Sequence, residues 1–263
     1  MVYEHIKAKP LNYFMKTFGL IGHRLGYSFS RNFFTEKFKL ENLPDHEYVN
    51  FELDSIEEFP GIFDQGKNIC GLNCTIPYKQ QIMHFLDEID TEAAQIGAVN
   101  TVKITYKNGT RTLKGFNTDI YGFEHSICPM LEAKHKKALI LGTGGASKAI
   151  KHLFDKLQIE YLSATIDEEC LEKEIRYTQI NEQLLNEYLI IIHATPVGTF
   201  PNEDQCPAIP YQYITSDHVC FDLVYNPEET LFLKKAKAKG AKTKNGLEML
   251  HLQAIKAWEI WNS

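Results

Sequence analysis

Short apolar runs alternate with helical stretches along this chain. Lys16–Gly22 predicts a buried strand running into a glycine turn. Further strands are predicted over Tyr48–Leu53, Asn68–Thr75, Ala138–Leu141, Glu160–Ala164, Leu189–Ala194 and Val219–Val224. Val99–Tyr106 and Arg111–Phe116 flank Lys107-Asn108-Gly109-Thr110, and Asn-Gly between two such runs signals a hairpin. One helix is predicted from Ser28 and Ser30, whose hydroxyls can cap free backbone N–H groups, and another after Leu53. Others are predicted over Lys79–Leu86, from Asn117-Thr118-Asp119 to Leu131, and over Ser147–Leu157, Glu228–Lys239 and Gly246–Trp261. The alternation predicts an α/β protein with open, mostly parallel sheets. Residues 1–14 resemble nothing that follows, so Met15 reads as the natural start and the preceding segment as an N-terminal extension.

Composition narrows the class. A chain of 263 residues holds one large domain or two modest ones. The net charge of −6 argues against a nucleic-acid partner, and the densest basic group, Lys234, Lys235, Lys237 and Lys239, reads as a solvated helix face. The sequence has no 18-residue apolar stretch and no apolar N-terminal core, which predicts neither a membrane span nor a signal peptide. Six cysteines without a CxxC pair read as reduced thiols, pointing to the cytoplasm. Histidines without HxH or HExxH spacing suggest no metal site.

Two segments carry candidate chemistry. The run Ala138–Leu141 enters Gly142-Thr143-Gly144-Gly145-Ala146 and then a helix, the arrangement in which glycines let a backbone approach a pyrophosphate at a helix N-terminus. Ser147 replaces the third glycine of that pattern. At the tip of the next strand an acidic residue binds the ribose of NAD, and a basic one accepts the extra phosphate of NADP. Here Ser163 and Thr165 could bond a phosphate and Asp167 a ribose, while no Lys or Arg lies between Lys156 and Lys173, so both cofactors stay open. The second segment, Gly71–Lys79, sets Thr75 and Lys79 around a proline turn at a strand's carboxyl end, where α/β sheets present ligand-binding groups. Gly97–Thr101 and Gly115–Asp119 again place amides and a carboxylate at element ends.

Taken together these segments resemble the motifs of the shikimate dehydrogenase family. GLNCTIPYK (71–79) is similar to its GxNVTxPxK motif, and GAVNT (97–101) and GFNTD (115–119) to the next two in order. Ser28-Phe29-Ser30 resembles its SxS substrate motif, and GTGGASKA (142–149) its GxGGAxxA loop. Asp222–Pro227 with Thr230 and Leu231 resembles DxxYNPxxTxL, and Gly246–Leu250 with Gln253 and Ala254 resembles GLxMLxxQA. The resemblance runs from Phe18 to Trp261.

That resemblance implies a substrate-binding domain of residues 15–117 plus 246–263 and a Rossmann-type dinucleotide-binding domain of residues 118–245. It implies reversible reduction of 3-dehydroshikimate to shikimate with NADP, NAD being possible, on the route to chorismate and aromatic amino acids. Lys79 and Asp119 would be catalytic, Lys79 as proton donor and Asp119 holding it charged and oriented. Ser28, Ser30, Thr75, Asn100, Tyr225 and Gln253 would bind substrate. Gly142, Thr143, Gly144, Gly145, Ala146, Ser163, Thr165, Leu223, Gly246 and Met249 would serve the cofactor. The expected partner is the small-molecule substrate, with no nucleic acid or membrane, in a monomer or homodimer.

The chain departs from the family pattern at Tyr27 and Arg31 around SxS, at Arg24 earlier in that loop, at Cys74 for valine, and at His193 where an Asn is usual. Arg31 could strengthen carboxylate binding, and His193 reads as a strand-end packing or hydrogen-bonding residue rather than a catalyst. Two alternatives stand beside the main reading. One is a quinate/shikimate-type dehydrogenase using NAD, against which Ser30 counts because quinate-accepting relatives tend to carry Thr there. The other is a non-catalytic NAD(P)-binding protein, against which the intact Lys79–Asp119 pair counts.

Overall fold

The structure, a computed structural model, describes residues 15–26 and 28–263, so residues 1–14 and Tyr27 lie outside the described residues. The described chain divides into two compact units: residues 15–90 with Val99–Phe116, and Thr91–Ala98 with Asn117–Asn262.

The first unit is built on six strands: β1 (Lys16–Gly22), β2 (His46–Glu52), β3 (Asn68–Cys74), β4 (Glu88–Ile89), β5 (Thr101–Lys107) and β6 (Thr110–Phe116). Their order is β2-β1-β3-β5-β6-β4. β1 runs parallel to β2 and β3, whereas β5 and β6 are antiparallel, so the sheet is mixed. The β5–β6 turn bears out the Asn-Gly signal: Asn108 and Gly109 both take positive φ (52° and 79°), which matches a hairpin turn to the twist of its strands. Helix α1 (Phe29–Leu40) buries Phe34 and Phe38 on this sheet, and the Phe34 ring stacks on Tyr48 with centroids 4.8 Å apart. The helices expected after Leu53 and over Lys79–Leu86 are instead 3-10 turns at Ile56–Gln65 and Gln81–Phe85. Pro60 inside the first of these has no N–H to give to a longer α-helix.

The second unit contains α2 (Thr91–Ile96), α3 (Asp119–Ile127), β7 (Lys137–Leu141), α4 (Gly145–Lys156), β8 (Glu160–Thr165), β9 (Glu174–Arg176), α5 (Glu182–Glu187) and β10 (Ile190–His193). It continues with β11 (Val219–Asp222), α6 (Leu231–Lys237), β12 (Lys242–Lys244) and α7 (Leu247–Asn262). All six strands are parallel, in the order β9-β8-β7-β10-β11-β12. Counted from β7 this is 3-2-1-4-5-6, the doubly wound Rossmann order, in which the direction of winding reverses beside β7 and opens a crevice at the strands' carboxyl ends. Because both faces are covered, the central strands carry continuous apolar runs: Ala138–Leu141 and Ile190–Ile192 are all 0% exposed. α7, grouped by resemblance with the substrate-binding residues, packs on α3 within this second unit. Gly122 permits that approach, since a Cβ there would lie 2.4 Å from the Met249 carbonyl oxygen.

One buried histidine gives this unit a pH dependence. His218 donates from Nε2 to the Leu185 carbonyl (2.9 Å) and accepts the Thr215 N–H at Nδ1 (3.0 Å), an arrangement that only the neutral ring satisfies. Burial pulls its pKa below the ordinary value. A depressed histidine contributes stability that is intact above the unfolded pKa of about 6.5 and is lost as pH falls below it. The urea midpoint therefore declines between about pH 7 and about pH 5. His218→Gln should flatten that decline, and parallel profiles for the two proteins would contradict it.

Candidate active site

In the first unit, β1 and β3 end side by side, and the Thr75 N–H bonds the Ile21 carbonyl (2.9 Å) where they do. The chain then turns through the cis Ile76–Pro77 peptide to Lys79. Three ties hold this turn: Tyr78 N–H to the Thr75 carbonyl (2.9 Å), Val99 N–H to the Lys79 carbonyl (2.7 Å), and Tyr78 Oη–H to the Leu53 carbonyl (2.7 Å). Lys79 is half-buried, and its backbone is fixed beside Val99 and hence beside Asn100.

Asn100 is itself held from both sides. Its N–H bonds Phe116 O (3.1 Å), and its carbonyl accepts from Cys74 N–H (2.8 Å). A buried polar chain then links it to Ser30. The Ser30 hydroxyl bonds the Tyr48 phenol, which donates to Asn73 Oδ1 (2.8 Å). Asn73 Nδ2 donates to Thr101 Oγ1 (3.2 Å), and the Thr101 hydroxyl donates to Asn100 Oδ1 (3.1 Å). Burial pushes the Tyr48 phenol far above its usual range, so it stays protonated and donating. Ser28 caps α1 by accepting the Arg31 N–H (3.2 Å). Tyr48, Asn73 and Thr101 were not singled out from sequence. The available signal was polar Asn73 set between apolar Leu72 and Cys74 near the end of a strand.

In the second unit, Asn117 starts α3: its Oδ1 accepts the Asp119 and Ile120 N–H groups (3.1 and 3.4 Å), and its Nδ2 donates to Ala98 O (2.9 Å). Asp119 therefore sits in the first turn of α3, 8% exposed, where the helix dipole favours a carboxylate. Thr118 Oγ1 donates to Gln253 Oε1 (3.4 Å), and Gln253 Nε2 donates to Leu250 O (3.0 Å), so α7 brings Gln253 against the start of α3. Gly246 lies so close to β11's exit that a Cβ would meet Leu223 O at 2.2 Å, which brings together Leu223, Gly246 and, one turn on, Met249. Tyr225 follows two residues after Leu223 and is half-buried.

The glycine loop fits a dinucleotide. Gly142 has φ +114° and a Cβ there would strike Thr195 Cγ2 (2.7 Å), while Gly144 and Gly145 face open space at the N-terminus of α4. Ser147, in place of the third glycine, is buried and closes the turn by donating to Gly144 O (2.7 Å). A groove of about 920 Å³ opens beside this loop, lined by Gly142, Thr143, Thr165, Asp167, Arg176 and Thr195 among others. Ser163 is placed otherwise than sequence suggested. It is 0% exposed inside β8 with its hydroxyl unpartnered, and the groove is lined from Ala164 to Glu168 but not by Ser163.

His193 closes a further network under the groove. Register sets Leu141, His193 and Asp222 in line across β7, β10 and β11. His193 Nδ1 lies 2.9 Å from Asp222 Oδ1, within reach of a proton though off the line of a straight hydrogen bond. Nε2 is 2.6 Å from the Thr195 hydroxyl. Asp222 also accepts from Thr230 Oγ1 (2.5 Å) and Val224 N–H (2.9 Å), and both His193 and Asp222 are wholly buried. Among the described residues no helix is long and apolar enough to cross a membrane.

Comparison with known proteins agrees with this geometry. Residues 20–102 match the model of the shikimate dehydrogenase substrate binding domain. The chain is 38% identical to the shikimate dehydrogenase (NADP(+)) of Methanococcus aeolicus, over 94% of this chain and 91% of the relative. The crystal structure of shikimate dehydrogenase from Aquifex aeolicus superposes with a TM-score of 0.81 at 34% identity, covering 94% of this chain and 92% of that one. A second solved shikimate dehydrogenase, in complex with NADP+, gives 0.78 at 36% identity over 96% and 93%.

Proposed function

From the premise that this chain belongs to the shikimate dehydrogenase family, we propose how its residues carry out the family's reaction. The protein is an NADP-dependent oxidoreductase that interconverts 3-dehydroshikimate and shikimate. When bound, the cofactor supplies or takes up the hydride. Lys79 gives a proton to the alkoxide oxygen that develops at C3 of the substrate, and takes it back in the reverse direction. Asp119 binds a substrate hydroxyl. Ser28, Ser30 and Thr75 bind the carboxylate and neighbouring hydroxyls, Asn100 holds the ring hydroxyls, and Tyr225 and Gln253 complete the contacts. Gly142–Ala146 would hold the pyrophosphate, Thr165 the adenosine end, and Leu223, Gly246 and Met249 the nicotinamide. The enzyme works in the cytoplasm, as a monomer or homodimer.

The observation that supports this most is the placement of Lys79. A lysine at a strand's carboxyl end, its backbone pinned to Val99 and next to a fully supported Asn100, is built as a fixed proton donor beside hydroxyl-binding amides. The test is the absorbance of reduced cofactor with shikimate, offering NADP+ and NAD+ separately. Turnover with shikimate, faster with NADP+, is expected. Turnover with quinate alone would move the assignment to that substrate, and binding of both ligands without turnover would make the protein a sensor.

A further inference from the structure

A protein that prefers NADP must offer a cation to the 2′-phosphate, and the usual place for it, the tip of β8, is acidic here. That tip carries Asp167 and Glu168, and the Asp167 carboxylate accepts from the Thr165 hydroxyl (3.1 Å). Lys173, next along the chain, sits over the Tyr161 ring (4.7 Å) and does not line the groove.

We infer that Arg176, supplied by the neighbouring strand β9, reads the 2′-phosphate and sets the cofactor preference. This rests on the dehydrogenase reading above but concerns adenosine-end recognition alone. β9 pairs in parallel with β8, and the register sets Arg176 opposite Thr165. The residue that is eleven positions further along the chain is thereby brought beside the strand tip. Arg176 lines the same groove as Gly142, Thr143, Thr165 and Asp167. Its guanidinium donates to the Glu168 carbonyl, which folds the side chain back toward the loop that follows β8. Its N–H is tied to Gln179 Oε1 (2.7 Å), fixing the backbone from which the side chain starts. Among the described residues no carboxylate forms an ion pair with Arg176, so its charge is not neutralised within the fold. A guanidinium keeps its charge at all working pH values and matches phosphate oxygens two at a time. Asp167 opposes it: one carboxylate beside the same phosphate weakens binding, so the preference for NADP is moderated.

Adenosine 2′,5′-bisphosphate and 5′-AMP differ only by the phosphate in question, and their affinities can be measured by calorimetry without any turnover. The full-length protein should bind the bisphosphate more tightly. Arg176→Ala should weaken the bisphosphate by roughly 10–100-fold while changing 5′-AMP by less than about threefold. Arg176→Lys should recover part of the loss, since it restores the charge without the planar fork. Asp167→Asn should act oppositely and tighten the bisphosphate several-fold. Unchanged bisphosphate binding in Arg176→Ala, equal losses for both nucleotides, or no discrimination by the unsubstituted protein would each overturn the inference. Failure to oxidise shikimate with this pattern intact would sink the catalytic reading and leave Arg176's role standing.

Discussion

Lys79→Ala should lower kcat for shikimate oxidation by about 10²–10⁴-fold, the range expected when a positioned proton-transfer group is removed. The structure says why the loss should fall on kcat. Lys79 is tied to the fold through its backbone, by Val99 N–H, and the turn is independently anchored by Tyr78 on Leu53. Truncating the half-buried side chain therefore leaves the turn, Thr75 and Asn100 where they are. Affinity for adenosine 2′,5′-bisphosphate should stay within about twofold, because Lys79 and the glycine loop belong to different units. Thermal unfolding should shift little. A rate loss under about tenfold would show that another group delivers the proton.

Asp222→Ala should produce the largest loss of stability. The carboxylate is wholly buried and accepts from two donors that depend on it, Val224 N–H and the Thr230 hydroxyl, with His193 Nδ1 2.9 Å away. Removing one member of a buried polar cluster strands the others without water, which costs about 3–5 kcal/mol. For a unit of this size that lowers the unfolding midpoint by on the order of 10 °C. The effect should extend to nucleotide binding. His193 orients Thr195, and Thr195 is the side chain against which Gly142 packs. Asp222→Asn keeps one acceptor oxygen and should recover part of the stability. A midpoint within about 2 °C of the original protein would refute this account of the cluster.

Much of this was readable in advance. The Asn-Gly hairpin, the apolar strands of the second unit and the strand–glycine–helix passage at 138–147 follow from local chemistry that the fold does not override. The short elements β4, β9 and β12 were not anticipated, since two or three residues carry no periodicity. That omission had a cost at the site. A search for basic residues confined to the end of β8 cannot find Arg176, because only strand pairing brings it there. Ser163 shows the converse: its composition suited a phosphate ligand, but its place in a doubly covered sheet buries it. Asp222 could be recognised as part of a motif, yet its task of holding His193 follows from cross-strand register, which the linear sequence does not display.

The path of the chain between its two units bears on how such a protein can be made and altered. It leaves the first unit at Asp90, returns at Val99, and leaves again after Phe116. The excursion of eight residues, Thr91–Ala98, is no passive tether: Ile96 and Ala98 belong to the apolar core of the second unit. Strands β5 and β6 can therefore join the first sheet only after a piece of the other unit's interior has left the ribosome. A gene cut after Ala98 or after Phe116 would yield one fragment with Ile96 and Ala98 bared and another with a hole where they belong. The two units are thus distinguishable in space but not separable as modules, and exchange of halves between relatives must carry this short excursion with the nucleotide-binding partner.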